Sequence, residues 1–190
     1  MASIRMAIFL TGYLAVVGLA IWFILSANLL GFQLVVLMSA IHFGIGDAAF
    51  ISEIDSRSNK SRFPKLPYAL AAGFTPVVIP LVNQQSSEAL AAVNPGLIGW
   101  AGVLESYLYF GMIAIALIAI FWMVGVKRFD NALDIGLLLV ISLTAPPLIA
   151  FAFYFGLWHA LRHTGRLSLE LPSSIKAHEL NQSLKAFWAS

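Results

Sequence analysis

The chain has 190 residues, of which 60% are hydrophobic and only 11% are charged, and its mean hydropathy is +0.88. A soluble domain carries about 25% charged residues, so this composition excludes a water-soluble fold, a disordered chain and a nucleic-acid-binding protein. Because the chain contains no cysteine, disulfides, iron–sulfur clusters and thiolate metal sites are also excluded. These properties predict an all-α, polytopic transmembrane helical bundle.

Apolar runs separated by a few charged residues predict about six membrane-spanning helices, since a spanning helix needs about 20 apolar residues. The predicted spans cover residues 6–26, 29–50, 67–82, 97–126, 132–145 and 146–161. We expect Pro76 and Pro80 to break the third span, and Pro146-Pro147 to prevent one continuous helix through the last two. The charged residues between the second and third spans predict a polar loop at 51–66.

The rest of the chain adds only short elements to these spans. A short helix is expected within residues 83–96. The predicted organisation is one transmembrane helical domain at 1–166, followed by a cytoplasmic amphipathic tail at 167–190. A cleaved signal peptide is disfavoured because the first apolar run exceeds the about 7–15 residues that such a segment carries.

The positive charges predict the orientation in the membrane. With six crossings, all 11 Lys and Arg residues fall on the same side. Because Lys and Arg concentrate in cytoplasmic loops, we expect a multi-pass protein of the inner (plasma) membrane with both termini in the cytoplasm. No lysine lies inside an apolar run, which excludes a retinal-binding opsin, because that class forms its Schiff base on such a lysine.

Three histidines, His42, His159 and His163, lie within or at the end of apolar runs, where ionisable groups are costly and usually functional. His159 and His163 are four residues apart, so both imidazoles lie on one helix face and can bind one metal ion. We expect His42 and His159 at the same depth, about 10–12 Å below the cytoplasmic boundary. The spacing therefore predicts a three-histidine metal site. Each imidazole could equally be satisfied by a backbone carbonyl, and an all-nitrogen ligand set suits Fe, Zn or Cu.

Two sequence motifs contain these histidines. The first is HFGIGDAAF at residues 42–50, and the second is PPLIAFAFYFGLWHALRHTGR at 146–166. They resemble the motifs of the Brp/Blh family of bacterial and archaeal membrane β-carotene 15,15'-dioxygenases, and the similarity covers residues 29–166. The resemblance implies a haem-free iron(II) enzyme that uses O₂ to split the central double bond of β-carotene into two retinals. By motif, His42, His159 and His163 take the roles of iron ligands and catalytic residues.

A polyene has no polar group by which it can be oriented, so it needs a shaped apolar tunnel. Aromatic residues crowd the helix that carries the histidine pair, and we predict that Phe151, Tyr154, Phe155 and Trp158 line this tunnel. The alternative is ordinary packing against lipid. The predicted partners are therefore β-carotene or a related carotenoid, O₂ and the lipid bilayer.

Asp47 is the carboxylate nearest to the predicted metal site. It lies about 140° around the helix from His42, so the two cannot face one metal ion unless Gly44 and Gly46 distort that turn. We predict instead that Asp47 accepts an N–H from a ligand imidazole. A role at the helix end, or an ion pair with Arg162, is the competing interpretation.

A second hypothesis belongs to another functional class: a small membrane transporter with a buried proton relay through His42, Asp47 and His163. It predicts no bound iron and an activity that depends on a proton gradient. A desaturase-like di-iron oxidase is disfavoured, because its sites need more histidines than the four in this chain.

The resemblance also implies a fourth histidine ligand on a helix before the His-Phe-Gly motif. No histidine precedes His42, and the remaining one, His178, lies among polar residues of the tail, where we expect it at the surface. We therefore expect that the sequence as written lacks part of its active site. An in-frame hydrophobic segment with a histidine should precede Met1 in the gene, and if none exists, His178 or Asp47 becomes the candidate fourth ligand.

Overall fold

A computed structural model describes residues 2–58, 63–180, 182 and 185. Helices make up most of the described part, which contains no strand, so the predicted all-α bundle is confirmed. The helices are α1 (Ala2–Leu25), α2 (Leu29–Ser58), α3 (Lys65–Val82), α4 (Ser86–Val93), α5 (Glu105–Gly125), α6 (Phe129–Thr144), α7 (Pro147–Phe151), α8 (Ala160–Glu170) and α9 (Pro172–Glu179).

Helix α3 is the centre of the bundle. It is buried along most of its length and packs against α2, α5 and α6. The predicted break at Pro76 and Pro80 is wrong, because α3 runs continuously through both prolines. Each proline removes one backbone donor, but in a transmembrane helix the neighbouring helices and small local adjustments satisfy the backbone groups that are freed. The core of the bundle therefore forms around α3, although this helix contains two prolines.

Two predicted boundaries are also wrong. The expected polar loop at 51–66 is helical as far as Ser58, because Glu53 and Asp55 form ion pairs with arginines of other elements and keep the charged turns of α2 in place. The fourth apolar run becomes α-helical only at Glu105, where α5 begins. Before it lie two 3₁₀ turns, and Gly99 and Gly102 have φ of +71° and +53°, a backbone conformation that favours glycine.

Four helices are long and apolar enough to cross a membrane, counted over the described residues: Met6–Leu25, Leu29–Ser56, Lys65–Val82 and Gly102–Gly125. These helices indicate a membrane protein. Helix α6 has only 16 residues, which is about 24 Å and shorter than the about 30 Å hydrocarbon core. The six-crossing topology stays a prediction.

The last long helix begins where the sequence predicts it. Ala145 is extended and α7 starts at Pro147, so the predicted interruption at the Pro-Pro pair is confirmed. From there the chain is helical without a break to Glu170, through α7, a π-helical segment at Ala152–His159 and α8. Helix α9 covers the start of the predicted amphipathic tail, most of whose remainder lies outside the described residues.

The predicted sidedness can be tested in intact cells. Because the chain has no cysteine, a single cysteine placed at Lys60 is the only thiol of the protein. We expect this cysteine, and a tag added after Ser190, to be inaccessible to membrane-impermeant reagents until the cells are permeabilised. Labelling of either position from outside would contradict the topology. The positive control is a cysteine at Ser87, an exposed residue of α4 on the opposite predicted side.

Candidate metal and substrate site

The three predicted ligand residues lie together at the interface of α2 with the last long helix. The ring centroids of His42 and His159 are 6.2 Å apart. The rings of His159 and His163 are also 6.2 Å apart and nearly parallel, with 9° between their planes. His159 is thus the central member of the group, and its side chain is only 14% exposed, whereas His42 and His163 are exposed.

The three imidazole rings lie farther apart than three ligands of one metal ion. Two imidazoles bound through bonds of about 2.1 Å place their ring centroids about 5 Å apart, roughly 1 Å closer than either histidine pair here. Across the described residues, no three His, Asp or Glu side chains converge tightly enough to hold an ion. The ligand roles of His42, His159 and His163 stay a prediction. The chemistry of the donor set, imidazole nitrogens without a thiolate, suits an iron, zinc or copper ion.

Asp47 connects to this group through His159. Its side chain is fully buried, and its Oδ1 lies 3.1 Å from His159 Nδ1. In the tautomer with a proton on Nδ1, His159 donates to Asp47 and its Nε2 lone pair is left for a ligand, which is the usual arrangement of a metal-binding histidine. Tyr154 also donates its hydroxyl to Asp47, at 3.5 Å. The competing interpretation, an ion pair of Asp47 with Arg162, is wrong, because Arg162 bonds Asp134 instead.

The π-helical segment explains why Tyr154 and His159 share a face. Hydrogen bonds in a π-helix connect residues five apart, and such segments occur frequently at functional sites. Tyr154 precedes His159 by five residues, and their rings are 6.2 Å apart. A regular α-helix would place these two side chains about 140° apart. Sequence spacing alone therefore does not bring Tyr154 to Asp47.

Two glycines of the first motif permit close packing. A Cβ on Gly44 would lie 2.1 Å from the carbonyl oxygen of Ala69, and one on Gly73 would lie 2.1 Å from that of Ala40. Gly44 and Gly73 therefore form the closest crossing of α2 with α3. A Cβ on Gly46 would lie 3.2 Å from His159 Cε1, so this glycine makes room for the imidazole. Helix α2 continues unbroken through both glycines, so the distortion that would let His42 and Asp47 face one metal ion does not occur.

Phe43 is a site residue that the sequence reasoning missed. Its ring lies 4.6 Å from that of His159 and 4.8 Å from that of Phe155. It also contacts Tyr154, with ring centroids 6.0 Å apart. Phe43 packs between the imidazole group and the aromatic residues of the π-helical segment. Its position directly after His42 in the His-Phe-Gly motif could have indicated that Phe43 belongs to the site.

The four predicted tunnel residues divide into two pairs. Phe151 and Phe155 are stacked and line an open cavity of about 270 Å³ with almost entirely apolar walls. Tyr154 is buried against Asp47, and Trp158 lies against Arg162, so neither lines this cavity. Its other walls include Ile24, Phe32, Val36, Val77 and Leu90 of helices α1 to α4. The role of all four residues in substrate binding stays a prediction.

The same helix carries a second polar group. Arg162 donates to the Tyr68 hydroxyl and to Asp134 Oδ2, both at 2.7 Å. Its guanidinium carbon lies 4.2 Å from the centroid of the Trp158 ring. The sequence reasoning considered Arg162 but missed Tyr68 and Asp134, because nothing local to either residue marks it. The side chain of His178 lies outside the described residues, so the expectation of a surface position is not addressed.

A larger cavity, about 1000 Å³, lies elsewhere, beside the α2–α3 connection. It is lined by Lys65, Leu66 and Trp122 among others, and no histidine faces it. Size alone therefore does not identify the site. The smaller cavity is distinguished by Phe155, which contacts Phe43 and through it the imidazole group.

The site combines an imidazole group, a buried carboxylate and an adjoining apolar cavity within a bundle of apolar helices, which indicate a membrane protein. The family model for beta-carotene 15,15'-dioxygenase matches residues 1–190, so the chain belongs to that family. The resemblance inferred from the two motifs is thereby confirmed, and the family indicates dioxygenase chemistry on beta-carotene. Comparisons with curated proteins and with solved structures give no match.

Proposed function

We propose that this protein cleaves the central double bond of β-carotene with O₂ and releases two retinals. The C15=C15' bond is broken and each of its carbons receives one oxygen atom, so one O₂ is consumed and no other co-reactant is needed. The observation that carries the proposal is the continuity of the imidazole group, Phe43 and the apolar cavity. The family match favours this reaction over a proton-relay transporter.

We propose iron(II) as the cofactor, held by His42, His159 and His163. Because neutral imidazoles add no negative charge, an ion held by these residues would keep its positive charge and would supply the activation of O₂. The proposed ligand set contains no thiolate, since the chain has no cysteine. The residues of the chain supply the orientation: Asp47 keeps His159 in one tautomer, and Tyr154 and burial keep Asp47 in place.

We assign the binding of one part of the polyene to the cavity beside Phe151 and Phe155, since a volume of about 270 Å³ is too small for the whole molecule. Its apolar walls exclude water and offer no competing hydrogen bonds, so orientation comes from shape alone. A precise fit matters, because a displacement of 1 Å from reacting geometry can lower a rate by about 100-fold. The cavity is open, which allows a substrate dissolved in the bilayer to enter sideways.

The direct test is expression in a β-carotene-producing host. We expect loss of the orange colour and accumulation of retinal, identified by chromatography against authentic standards. Retinal as the only product assigns cleavage to the central bond, whereas longer and shorter apocarotenals in pairs would indicate an eccentric bond. An unchanged β-carotene content with the protein present in the membrane would contradict the proposal.

A bulky substitution in the cavity tests the substrate assignment separately from the metal. Val36 is 6% exposed and lines the cavity. We expect Val36→Phe to lower retinal formation between about 10- and 100-fold while bound iron stays at the wild-type level. Val140→Phe adds the same volume at an exposed position of α6 and is the matched control. Equal retinal formation by both variants would remove the cavity from the proposal.

A further inference from the structure

Arg162, Tyr68 and Asp134 form a polar group that the proposed reaction does not use. Arg162 nevertheless lies between two of the proposed ligands in sequence. Arg162 follows His159 by three residues and precedes His163 by one. Its side chain is 13% exposed, that of Asp134 is 22% exposed, and Tyr68 is fully buried. Such a buried charge is costly unless it is paired and hydrogen-bonded. This group satisfies that condition.

The contacts of Arg162 come from three directions. One terminal nitrogen donates to Tyr68 of α3 and the other to Asp134 of α6. Tyr68 donates in turn to the same Asp134 oxygen, at 3.1 Å, which closes a triangle of hydrogen bonds. The guanidinium face stacks on Trp158, one turn earlier in the same helix. Arg162 is therefore held at both its edge and its face.

This anchoring has a geometric consequence for the imidazoles. The last long helix contacts α2, which carries His42 and Asp47, on one side, and is tied to α3 and α6 through Arg162. A rotation of this helix by 20° about its axis would move a ring 6 Å from the axis by about 2 Å. That displacement exceeds the roughly 1 Å by which the rings of His42 and His159, which lie on different helices, miss the spacing for one ion. Contacts that fix the rotation of the last long helix therefore also fix the distance from its two histidines to His42.

We propose that Asp134 and Tyr68 are positioning residues that act through Arg162 to set the rotation of the helix carrying His159 and His163. The inference rests on the proposed function, in which these histidines hold a metal ion. Asp134 supplies the charge that opposes Arg162, and Tyr68 supplies the second acceptor that fixes the direction of the guanidinium. Neither residue touches the metal or the substrate.

The test uses the full-length protein in detergent with Co(II) as the probe, because the visible absorption of Co(II) reports its coordination. We expect Asp134→Asn and Tyr68→Phe to weaken Co(II) binding by about 10- to 100-fold, as is typical for residues that support metal ligands, and to change the Co(II) spectrum. Asp134→Glu keeps the carboxylate and should recover part of the affinity. Thermal stability is measured in parallel for every variant.

Two control variants separate positioning from general stability. Asp55→Asn breaks the ion pair with Arg128, which does not involve the histidine helix, so it should lower stability and leave Co(II) affinity and spectrum unchanged. Asp130→Asn removes an exposed carboxylate one turn from Asp134 and should change neither. If Asp134→Asn does not accumulate, Tyr68→Phe, which removes a single hydroxyl, carries the test.

The outcomes distinguish this inference from the function on which it rests. Wild-type affinity and spectrum in Asp134→Asn or, if it does not accumulate, in Tyr68→Phe would overturn the positioning role alone. Co(II) affinity that falls in Asp55→Asn as much as in the Asp134 variant would also overturn it, because the effect would then follow stability. A wild-type protein that makes no retinal and binds no Co(II) would overturn the proposed function and this inference together.

Discussion

Replacement of His159 or His163 by Ala is expected to abolish both bound iron and retinal formation. His159 is the central imidazole of the group, within 6.2 Å of both His42 and His163. Loss of one ligand of three leaves two imidazoles, which hold an ion far more weakly, and the rate falls with the iron content. The measurement is the iron-to-protein ratio of the purified protein, together with retinal formed in the carotenoid-producing host.

The matched control for this prediction is Leu161→Ala. Leu161 lies between the two histidines on the same helix, and its side chain is 52% exposed, so its truncation alters the surface and not the site. We expect wild-type iron and retinal in this variant. Normal iron content in His159→Ala or His163→Ala would refute the ligand assignment of that residue, whatever the effect on activity.

The second large effect is expected from Gly73→Ala. The added methyl would lie 2.1 Å from the carbonyl oxygen of Ala40 and 2.8 Å from the Gly44 Cα. Both are backbone atoms, which cannot rotate away as a side chain can, so α2 and α3 must separate. We expect a destabilisation above the about 1–3 kcal/mol that is typical of overpacking. Because α2 carries His42 and Asp47, retinal formation should fall with the stability.

The measurement is the temperature at which half of the detergent-purified protein aggregates, together with retinal formation. Gly136→Ala is the control, since a Cβ on Gly136 of α6 meets nothing within 4 Å. Alanine is also the better helix former, so this variant should be as stable as the wild type or slightly more stable. Equal behaviour of the two variants would contradict the close crossing of α2 and α3.

Part of the fold could be predicted because its signals are local in sequence. Hydropathy identifies the apolar helices, and the Pro146-Pro147 pair marks the start of the last long helix. The continuation of α2 to Ser58 could not be predicted in the same way. Its charged last turns are paired with Arg128 and Arg166, about 70 and 110 residues away along the chain. The sequence of the segment gives no indication of these partners.

The candidate site also has features that are local in sequence and contacts that depend on how the chain folds. A membrane protein and a set of three histidines can be inferred before the chain folds, because an apolar run and an i, i+4 spacing are local properties of the sequence. The contact of Asp47 with His159, 112 residues away along the chain, is visible only in the folded protein, as are the contacts of Asp134 and Tyr68 with Arg162. The reason is that these contacts depend on how α2, α3 and α6 pack around the last long helix. That packing is controlled by the Gly44–Gly73 crossing and by the π-helical segment, neither of which has a signature in hydropathy or spacing.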